Sequence, residues 1–403
     1  MISLATISFI YKVSLRNFFF KVCVSVFIIA YLCCLNSSFG AESSVLQTRK
    51  SLQVSELKIQ LMDRYILSSK MKWKNTVIGG LSGLLYKDLS LFAVSDDRGR
   101  YGPPRMYQFD FEINNGQRLK VIPKEVFELA PRKVRKNSKQ FDLEALLFFK
   151  NRWIFSSEGN LNTKPRTQPE ILYGSEVYRE PFRLNLESFL LLPEKFLANE
   201  SGVLKKGLNN NMAFEGMTSK DEVIYFLTES NLIQDSLDKL NSTKKNQIDS
   251  YLILYDFKSK KWKNEYHLQF ENNNKNFLYF GASEITYWKE NKFFIITRGI
   301  KFSADLSYDC QLWLLDLAQS ASTEDKGLLY PQLLLNLTEK DAKENYEGMA
   351  VLTREQIKKN ISKFGFKEGQ NVNNDYLILV SDDNFNKHEK NEFLLFKINE
   401  FEM

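Results

Sequence analysis

The sequence is poor in the residues that most often carry out catalysis or bind a metal. Its 403 residues include two histidines, four cysteines and nine prolines. His267 and His388 are far apart, so the paired-histidine spacing of a zinc-binding helix is absent. There is no GxSxG motif and no glycine-rich phosphate loop. These absences argue against a Ser-His-Asp hydrolase, a helix-borne zinc site and a nucleotide-binding enzyme.

Long apolar runs are also missing, apart from one near the N-terminus. Residues 1–40 contain three basic residues, no acidic residue and the apolar run Val22–Leu35, which is followed by small residues. This run is shorter than the ~20 residues of a membrane-spanning helix, and the whole segment is typical of a signal peptide. We therefore predict export to the periplasm or the outside. Lipid attachment at Cys33 or Cys34 is the alternative.

Without the leader, Cys310 is the one remaining cysteine, so no disulfide can form within the chain. Removing the three leader charges from the net charge of +6 leaves +3 on 363 residues (403 − 40). A nearly neutral chain is not typical of a nucleic-acid binder, whose basic residues cluster. We expect a single domain over residues 41–403, with no nucleic-acid partner and no membrane span after cleavage.

What the sequence does contain is a fivefold repeat built on an acidic residue. GGLSGLLY, FDLEALLF, AFEGMTSK, GASEITYW and NYEGMAVL centre on positions 82, 144, 215, 284 and 347, at steps of 62, 71, 69 and 63 residues. Fourteen positions later, the first four copies place Asp96, Glu158, Glu229 and Arg298. The fifth copy has an insertion at 354–375 and returns with Asp382 and Asp383. Self-similarity of this kind is typical of repeat folds.

The strand pattern within each copy predicts the architecture. Short runs rich in Tyr, Phe, Ile and Leu are separated by turn residues, about four per copy. This predicts an all-β fold, a β-propeller of four-stranded blades, with five blades preferred and six possible. The last copy has only three strands, and the alternating segment 55–67 is predicted to supply the fourth and close the ring. The insertion at 354–375 is expected to cover or narrow the channel.

The repeated acids predict a metal site on the propeller axis. The innermost strand of each blade lines the central channel, so four glutamates are expected near one axis, namely Glu144, Glu215, Glu284 and Glu347. Like charges this close raise one another's pKa unless a cation compensates. Ca²⁺, which takes six to eight oxygen ligands, fits such a site. The alternative is that each glutamate accepts backbone N–H groups of a neighbouring blade and only holds the ring together.

The second position of the repeat provides candidate catalytic residues. Arg98 and Arg298 stand among carboxylates, and arginine suits planar contact with a phosphate or carboxylate group. Asp97 and Asp383 are candidate general bases. The alternative for these aspartates is that they form turns by bonding to their own backbone.

Taken in order, these motifs resemble a known family, the phytase-like propellers described as the "esterase-like activity of phytase" domain. The motifs are GGLSGL, SDDRG, FDLEAL, SSEGN, AFEGM, TES, ASEI, NYEGMA and SDDNF, within residues 77–397. The resemblance implies a secreted or periplasmic propeller that hydrolyses phosphoric or carboxylic esters. The TRG motif around Arg298 departs from the acid-rich ends of the other copies.

The leading hypothesis is an exported, metal-assisted hydrolase of small esters, with phosphate monoesters as the first substrates to test. Ca²⁺ would be held by the axial glutamates, and the arginines would hold the charged group. A metal-dependent lactonase is the enzymatic alternative; it would need asparagine ligands, for which the motifs offer Asn384. A propeller that binds a small ligand or a partner without converting it is the alternative of a different class.

Overall fold

The computed structural model describes residues 57–68, 70–114, 117–131, 141–177, 182–235, 247–271, 277–301, 308–320, 327–366 and 372–400. Nearly all regular structure in these ranges is β-strand, as the sequence predicts. The predicted signal peptide at 1–40 lies outside the described residues. Within them, no helix is long and apolar enough to span a membrane.

A single strand, β1 (Leu57–Ile66), precedes the first repeat. It is followed by a short hairpin of β2 (Lys72–Trp73) and β3 (Thr76–Val77). The first repeat forms β4 (Leu81–Lys87), β5 (Ser90–Ser95), β6 (Arg105–Asn114) and β7 (Arg118–Pro131). The second forms β8 (Leu143–Phe149), β9 (Arg152–Ser157), β10 (Glu170–Val177) and β11 (Arg183–Leu190), followed by a 3₁₀ turn at Glu194–Phe196.

The other three repeats have the same plan. The third forms β12 (Phe214–Lys220), β13 (Val223–Thr228), β14 (Gln247–Asp256) and β15 (Lys261–Glu271). The fourth forms β16 (Phe277–Lys289), β17 (Lys292–Lys301), β18 (Tyr308–Asp316), the short helix α1 (Leu317–Ser320), β19 (Leu328–Leu329), β20 (Gln332–Asn336) and a 3₁₀ turn at Leu337–Lys340. The fifth forms β21 (Asn345–Leu352), helix α2 (Arg354–Lys359), β22 (Asp375–Asp382) and β23 (Glu392–Glu400).

Each repeat is a four-stranded antiparallel blade, and the N-terminal strand completes the last one. In the fifth blade, β1 pairs with β23 from Leu57 opposite Glu400 to Ile66 opposite Glu392. The predicted closing strand is thereby confirmed. It pairs the two ends of the described chain and leaves β23 without a free edge. The outer strands β7 and β11 pair in parallel and join the first two blades, and β19 adds to the edge of the third.

The five inner strands β4, β8, β12, β16 and β21 follow one another around a ring. Each contacts the next, and β21 contacts β4. Five clusters of buried apolar side chains fill the spaces between neighbouring blades, one cluster at each interface. The described residues therefore form a closed propeller of five blades, with no sixth four-stranded sheet among them. Burial of these apolar faces supplies the main stabilisation of the fold.

Tight turns fix the register between the inner and second strands. Two-residue turns join them in the first four blades, with left-handed backbone at Asp88 and Leu89 (φ 47° and 63°) and at Lys150 and Asn151 (φ 51° and 59°). Positive φ at both residues is the mark of a type I′ hairpin, whose twist matches that of the strands. Each turn lies at the end of the hairpin opposite the repeated acid.

In the fifth repeat the insertion takes the place of this turn, between β21 and β22. It therefore lies at the turn end of the hairpin. Its helix α2 begins with a capping box between Thr353 and Gln356. Ile357 and Phe364 pack into the cluster between the first and fifth blades, and Lys363 donates to the carbonyl of Leu89. At this end of the hairpin, the described part of the insertion lies away from the repeated acids. That it covers or narrows the channel stays a prediction.

Candidate functional site

A polar cavity opens where the inner strands begin. Its volume is about 220 Å³, and its lining is mostly acidic and basic. The lining side chains come from all five blades and the loops between them: Asp96, Asp97, Arg98, Arg100, Tyr101, Glu144, Glu158, Asn211, Glu215, Arg298, Glu347, Asn384 and Phe385. Most of the residues that the repeat singles out therefore meet at one place.

The hairpin register explains the spacing of fourteen residues. The backbone N–H of Glu158 donates to the carbonyl of Asp142 at 3.0 Å, and that of Glu229 donates to Ala213 at 2.9 Å. Asp96 makes the equivalent bond to Gly80 at 2.9 Å. Each bond joins the start of an inner strand to the end of the second strand. The first and second acids of a repeat therefore reach the same end of the channel.

A β-bulge accompanies the repeat position in every blade. The pairing of inner and second strands shifts register between Ser82 and Leu85, between Leu143 and Leu146, and at corresponding places in the other blades. A bulge bends the strand and re-aims its side chains, and bulges often border functional sites. Here the bulges occur at or beside the residues that reach the axis.

The carboxylates form three close groups. Within each group, one oxygen per residue lies within 4.8 Å of the others. The groups are Asp96, Glu347 and Asp382; Asp142, Glu144 and Glu158; and Glu158, Glu215 and Glu229. All eight residues but Asp96 are buried. Glu144, Glu215 and Glu347 therefore belong to three different groups that border one cavity, and each is joined by second-position acids.

Arg298 lies between two of these groups. Its Nη2 is 2.8 Å from Glu229 Oε1, it pairs with Glu347, and its Nη1 donates to Asn345 Oδ1 at 3.2 Å. Burial lowers the pKa of this guanidinium, but the carboxylates of Glu229 and Glu215 outweigh burial and hold the pKa well above its usual value. Arg298 is therefore a fixed internal cation.

Arg98 is the more accessible arginine. Its Nη2 is 2.5 Å from Asp142 Oδ2 and 4.0 Å from Glu158 Oε2, and the side chain also donates to Asn211. Its side chain is 33% exposed, compared with 16% for Arg298. The backbone of Arg98 is left-handed, with φ of 54°, a conformation that is costly for a residue with a side chain.

Burial raises the pKa of several acids in the cavity. It raises the pKa of Glu158 to about 8 and that of Asp382 to about 7. Burial, followed by repulsion from neighbouring carboxylates, also holds the pKa values of Glu144 and Glu215 well above their usual range. Without a further cation, some of these groups keep their protons at neutral pH.

Glu284 occupies a different environment from the other repeated glutamates. It does not line the cavity or belong to the three acid groups among the described residues. Its Oε1 accepts the N–H of Ile285 at 2.8 Å, and the backbone N–H groups of Leu84, Met217 and Met349 also bond to its carboxylate. These donors come from the inner strands of the first, third, fourth and fifth blades. The structure therefore places Glu284 where it joins inner strands.

The two candidate bases are both engaged in shaping loops. Asp97 pairs with the fully buried Arg105 at 2.7 Å and accepts the N–H groups of Gly99 and Tyr101. Asp383 Oδ1 accepts the N–H of Gly80 at 3.0 Å and that of Phe385 at 3.1 Å. These bonds match the turn-forming alternative for both residues.

Several polar residues at or beside the cavity escape a reading of the repeat. Asp142 and Asn345 stand two positions before Glu144 and Glu347, and Asn345 Nδ2 donates to Glu347 Oε1 at 2.8 Å. Side chains two residues apart in an extended chain share a face, so this spacing is a usable signal. Asn211 comes from a long loop and has no such signal.

An aromatic pair forms one side of the cavity mouth. The rings of Tyr101 and Phe385 stack with centroids 4.1 Å apart, and Tyr101 is 49% exposed. Phe385 has a left-handed backbone (φ 50°) and lies against Gly79 and Gly80, where a Cβ atom would come within 2.8 Å of its ring. The glycines leave the space that this ring fills.

The acids fit a hard cation. The three groups contain eight different carboxylates, which pair with two arginines, so full ionisation would leave −8 + 2 = −6. Asp382 Oδ2 is buried without a hydrogen-bond partner. Carboxylate oxygens are the ligands that Ca²⁺ prefers, at about 2.3–2.6 Å. Two such ligands on one ion are at most about 5 Å apart, which suits the spacing observed.

The chain matches a known family model over most of its length. The model is described as "Phytase-like: Esterase-like activity of phytase" and matches residues 76–385, which is 310 of 403 residues (385 − 76 + 1). It spans the first four blades and two of the four strands of the fifth. No curated relative matches the chain.

Solved structures show distant likeness. An alpha-L-arabinofuranosidase from Clostridium thermocellum is 9% identical, with a TM-score of 0.39, over 78% of this chain and 88% of that chain. A levansucrase variant from B. subtilis is 9% identical, with a TM-score of 0.37, over 86% of this chain and 84% of that chain. A protein of unknown function from Dyadobacter fermentans is 11% identical, with a TM-score of 0.38, over 85% of this chain and 99% of that chain. At these TM-scores the likenesses carry no information on mechanism.

Proposed function

This chain belongs to the phytase-like family, a match that supports a hydrolase-type propeller, and on that premise we propose an exported, metal-assisted hydrolase of small esters. Phosphate monoesters are the substrates we propose first. The observation that supports this proposal most is that five carboxylates of the three acid groups and two arginines line one small cavity, with the other three carboxylates of these groups beside them. So many acids are costly to bury together unless a cation binds among them.

We assign the catalytic cation to the group of Glu158, Glu215 and Glu229, and propose Ca²⁺. Glu144 and Glu347 flank this group in the cavity lining. When bound, such an ion polarises the ester and lowers the pKa of a water molecule. Glu284, which the repeat predicts to be a ligand, is proposed instead to hold the inner strands together through its hydrogen bonds to backbone N–H groups.

The arginines divide the remaining roles. Arg98 is proposed to bind the charged group of the substrate, because a third of its side chain is exposed at the cavity. Arg298 holds Glu229 and Glu347 in place and is proposed as a positioning residue. The stacked rings of Tyr101 and Phe385 offer an apolar surface to the part of the ester that does not react.

Proton transfer is proposed for Glu144 rather than Asp97 or Asp383. Glu144 lines the cavity, and burial, followed by repulsion from neighbouring carboxylates, holds its pKa well above the usual range, which favours its protonated form. A protonated carboxyl can protonate the leaving oxygen of an ester. Asp97 is neutralised by Arg105, and Asp383 is bonded to two backbone groups.

The test compares Glu215→Gln with a matched control on the same blade. Glu222→Gln makes the same change at an exposed residue that pairs with Lys150. We expect chelation, which removes the cation, and Glu215→Gln, which removes an ionic ligand of the cation, each to reduce phosphomonoester hydrolysis by about 100-fold or more. The control should keep wild-type activity, and circular dichroism should show that both variants fold.

A binding propeller is the second candidate, and one observation favours it. Both arginines already pair with carboxylates, so neither is free to bind an anion without breaking an ion pair. The assay therefore includes phosphate esters, carboxylate esters and lactones with Ca²⁺ supplied. Absence of turnover on all three classes would reject the hydrolase proposal and leave ligand binding as the better account.

A further inference from the structure

The group of Asp96, Glu347 and Asp382 differs from the other acid groups in where its members come from. Asp96 follows the second strand of the first blade, whereas Glu347 and Asp382 belong to the first two strands of the fifth blade. The group therefore spans the interface at which the ring closes. The proposed catalytic group, by contrast, comes from the second and third blades.

One oxygen in this group lacks a partner. Asp382 is 1% exposed, its Oδ1 accepts the N–H of Asn384 at 2.7 Å, and its Oδ2 has no hydrogen-bond partner. A buried carboxylate oxygen without a donor is costly, and such groups are rare in proteins. In the part of the chain that the structure describes, neither Asp96 nor Asp382 forms an ion pair.

The spacing and charge of the three carboxylates suit a divalent cation. Their oxygens lie within 4.8 Å of one another, the span of two ligands on one Ca²⁺ ion. Arg298 pairs with Glu347 and offsets one of the three charges. A charge of about −2 remains to be balanced if all three are ionised, which equals the charge of one such ion.

We propose that a second Ca²⁺-class cation binds Asp96, Glu347 and Asp382 and fastens the first blade to the fifth. Direct contact across this interface also comes from Asp383 Oδ1, which accepts the N–H of Gly80. The ion bridges blades that are distant in sequence, so its binding stabilises the closed ring against opening. This role is structural and does not require that the protein hydrolyse esters.

The test measures thermal unfolding of the full chain with Ca²⁺ removed and then added. A ligand that binds only the folded state raises Tm, by about 4 °C for a chain of this size at 100 times Kd. We expect the Ca²⁺-induced rise to be smaller by about that amount in Asp382→Asn and in Asp96→Asn. Glu215→Gln, which alters the other group, should keep a rise of about 4 °C.

Calorimetric titration with Ca²⁺ provides a second measurement, on wild type and on Glu215→Gln once circular dichroism has shown that the variant folds. Wild type should bind two ions and Glu215→Gln one. The inference is overturned if wild type shows no rise in Tm, if both aspartate variants keep the full rise, or if Glu215→Gln abolishes all binding. If wild type hydrolyses no ester but still shows the Ca²⁺-induced rise in Tm, the result counts against the proposed function and leaves the structural cation in place.

Discussion

At the scale of single residues, chemically identical glutamates have different surroundings. Glu215 faces a cavity and other carboxylates, whereas Glu284 bonds to backbone N–H groups of several inner strands. Burial raises the pKa of both well above the usual range, but the backbone donors partly offset burial only at Glu284. The position in the repeat is the same, and the neighbours decide the role.

Glu284→Gln is therefore expected to destabilise the protein without removing a metal site. An amide would turn an NH₂ group towards N–H donors that now bond to a carboxylate, at a cost of about 1–3 kcal/mol. Urea unfolding should show this loss, while Ca²⁺ stoichiometry and activity per folded molecule stay at wild-type values. Reduced stoichiometry would identify Glu284 as a ligand.

At the scale of elements, the inner strands approach closely enough to exclude a side chain. A Cβ atom on Gly216 in β12 would lie 2.6 Å from the backbone N of Ile285 and 3.0 Å from the carbonyl carbon of Glu284 in β16. A Cβ atom does not come as close as 2.6 Å to a non-bonded backbone atom, and backbone cannot move as a side chain can. The glycine after the repeated glutamate is therefore required by packing at the axis.

Gly216→Ala should separate the third and fourth blades and reduce stability by about 1–3 kcal/mol, as overpacking does. The control is Gly202→Ala, where nothing lies within 4 Å and only the left-handed backbone (φ 77°) opposes the change. We expect this control to cost about 1 kcal/mol. Equal losses in urea unfolding would show that axial packing tolerates a methyl group.

At the scale of the whole molecule, the buried acids link stability to pH. Burial raises the pKa of Glu158 to about 8 and that of Asp382 to about 7, well above their values in an unfolded chain. The folded state therefore holds protons that the unfolded state releases. The sign of this linkage is that stability falls as pH rises.

Metal-free protein should accordingly lose stability between about pH 5 and pH 8, with the loss complete above the folded pKa of Glu158. The midpoint of urea unfolding, measured in chelator at several pH values, checks this. Added Ca²⁺ should flatten the profile, because a cation favours the ionised acids. A midpoint that rises with pH in chelator would contradict the raised pKa values of Glu158 and Asp382.

The sequence alone predicted an all-β propeller closed by an N-terminal strand, with five blades preferred and six possible. Strands of regular length recur five times, the last repeat lacks one strand, and segment 55–67 alternates in the right way to replace it. These are local patterns, and closure of a sheet edge leaves few arrangements that satisfy them. The fourteen-residue spacing also identified the second set of acids, and the structure shows that they meet the first set because a tight turn fixes the register.

The tertiary structure decided which acids face the cavity and which hold the frame. Spacing could not separate Glu284 from Glu215, or show that Asp97 is neutralised by Arg105 eight residues later. Nor could it show that the insertion lies at the end away from the acids. The physical reason is that a carboxylate's role depends on the donors and charges around it, and these come from blades distant in the chain. The sequence thus determined a ring of acids, and the packing of five blades assigned their partners.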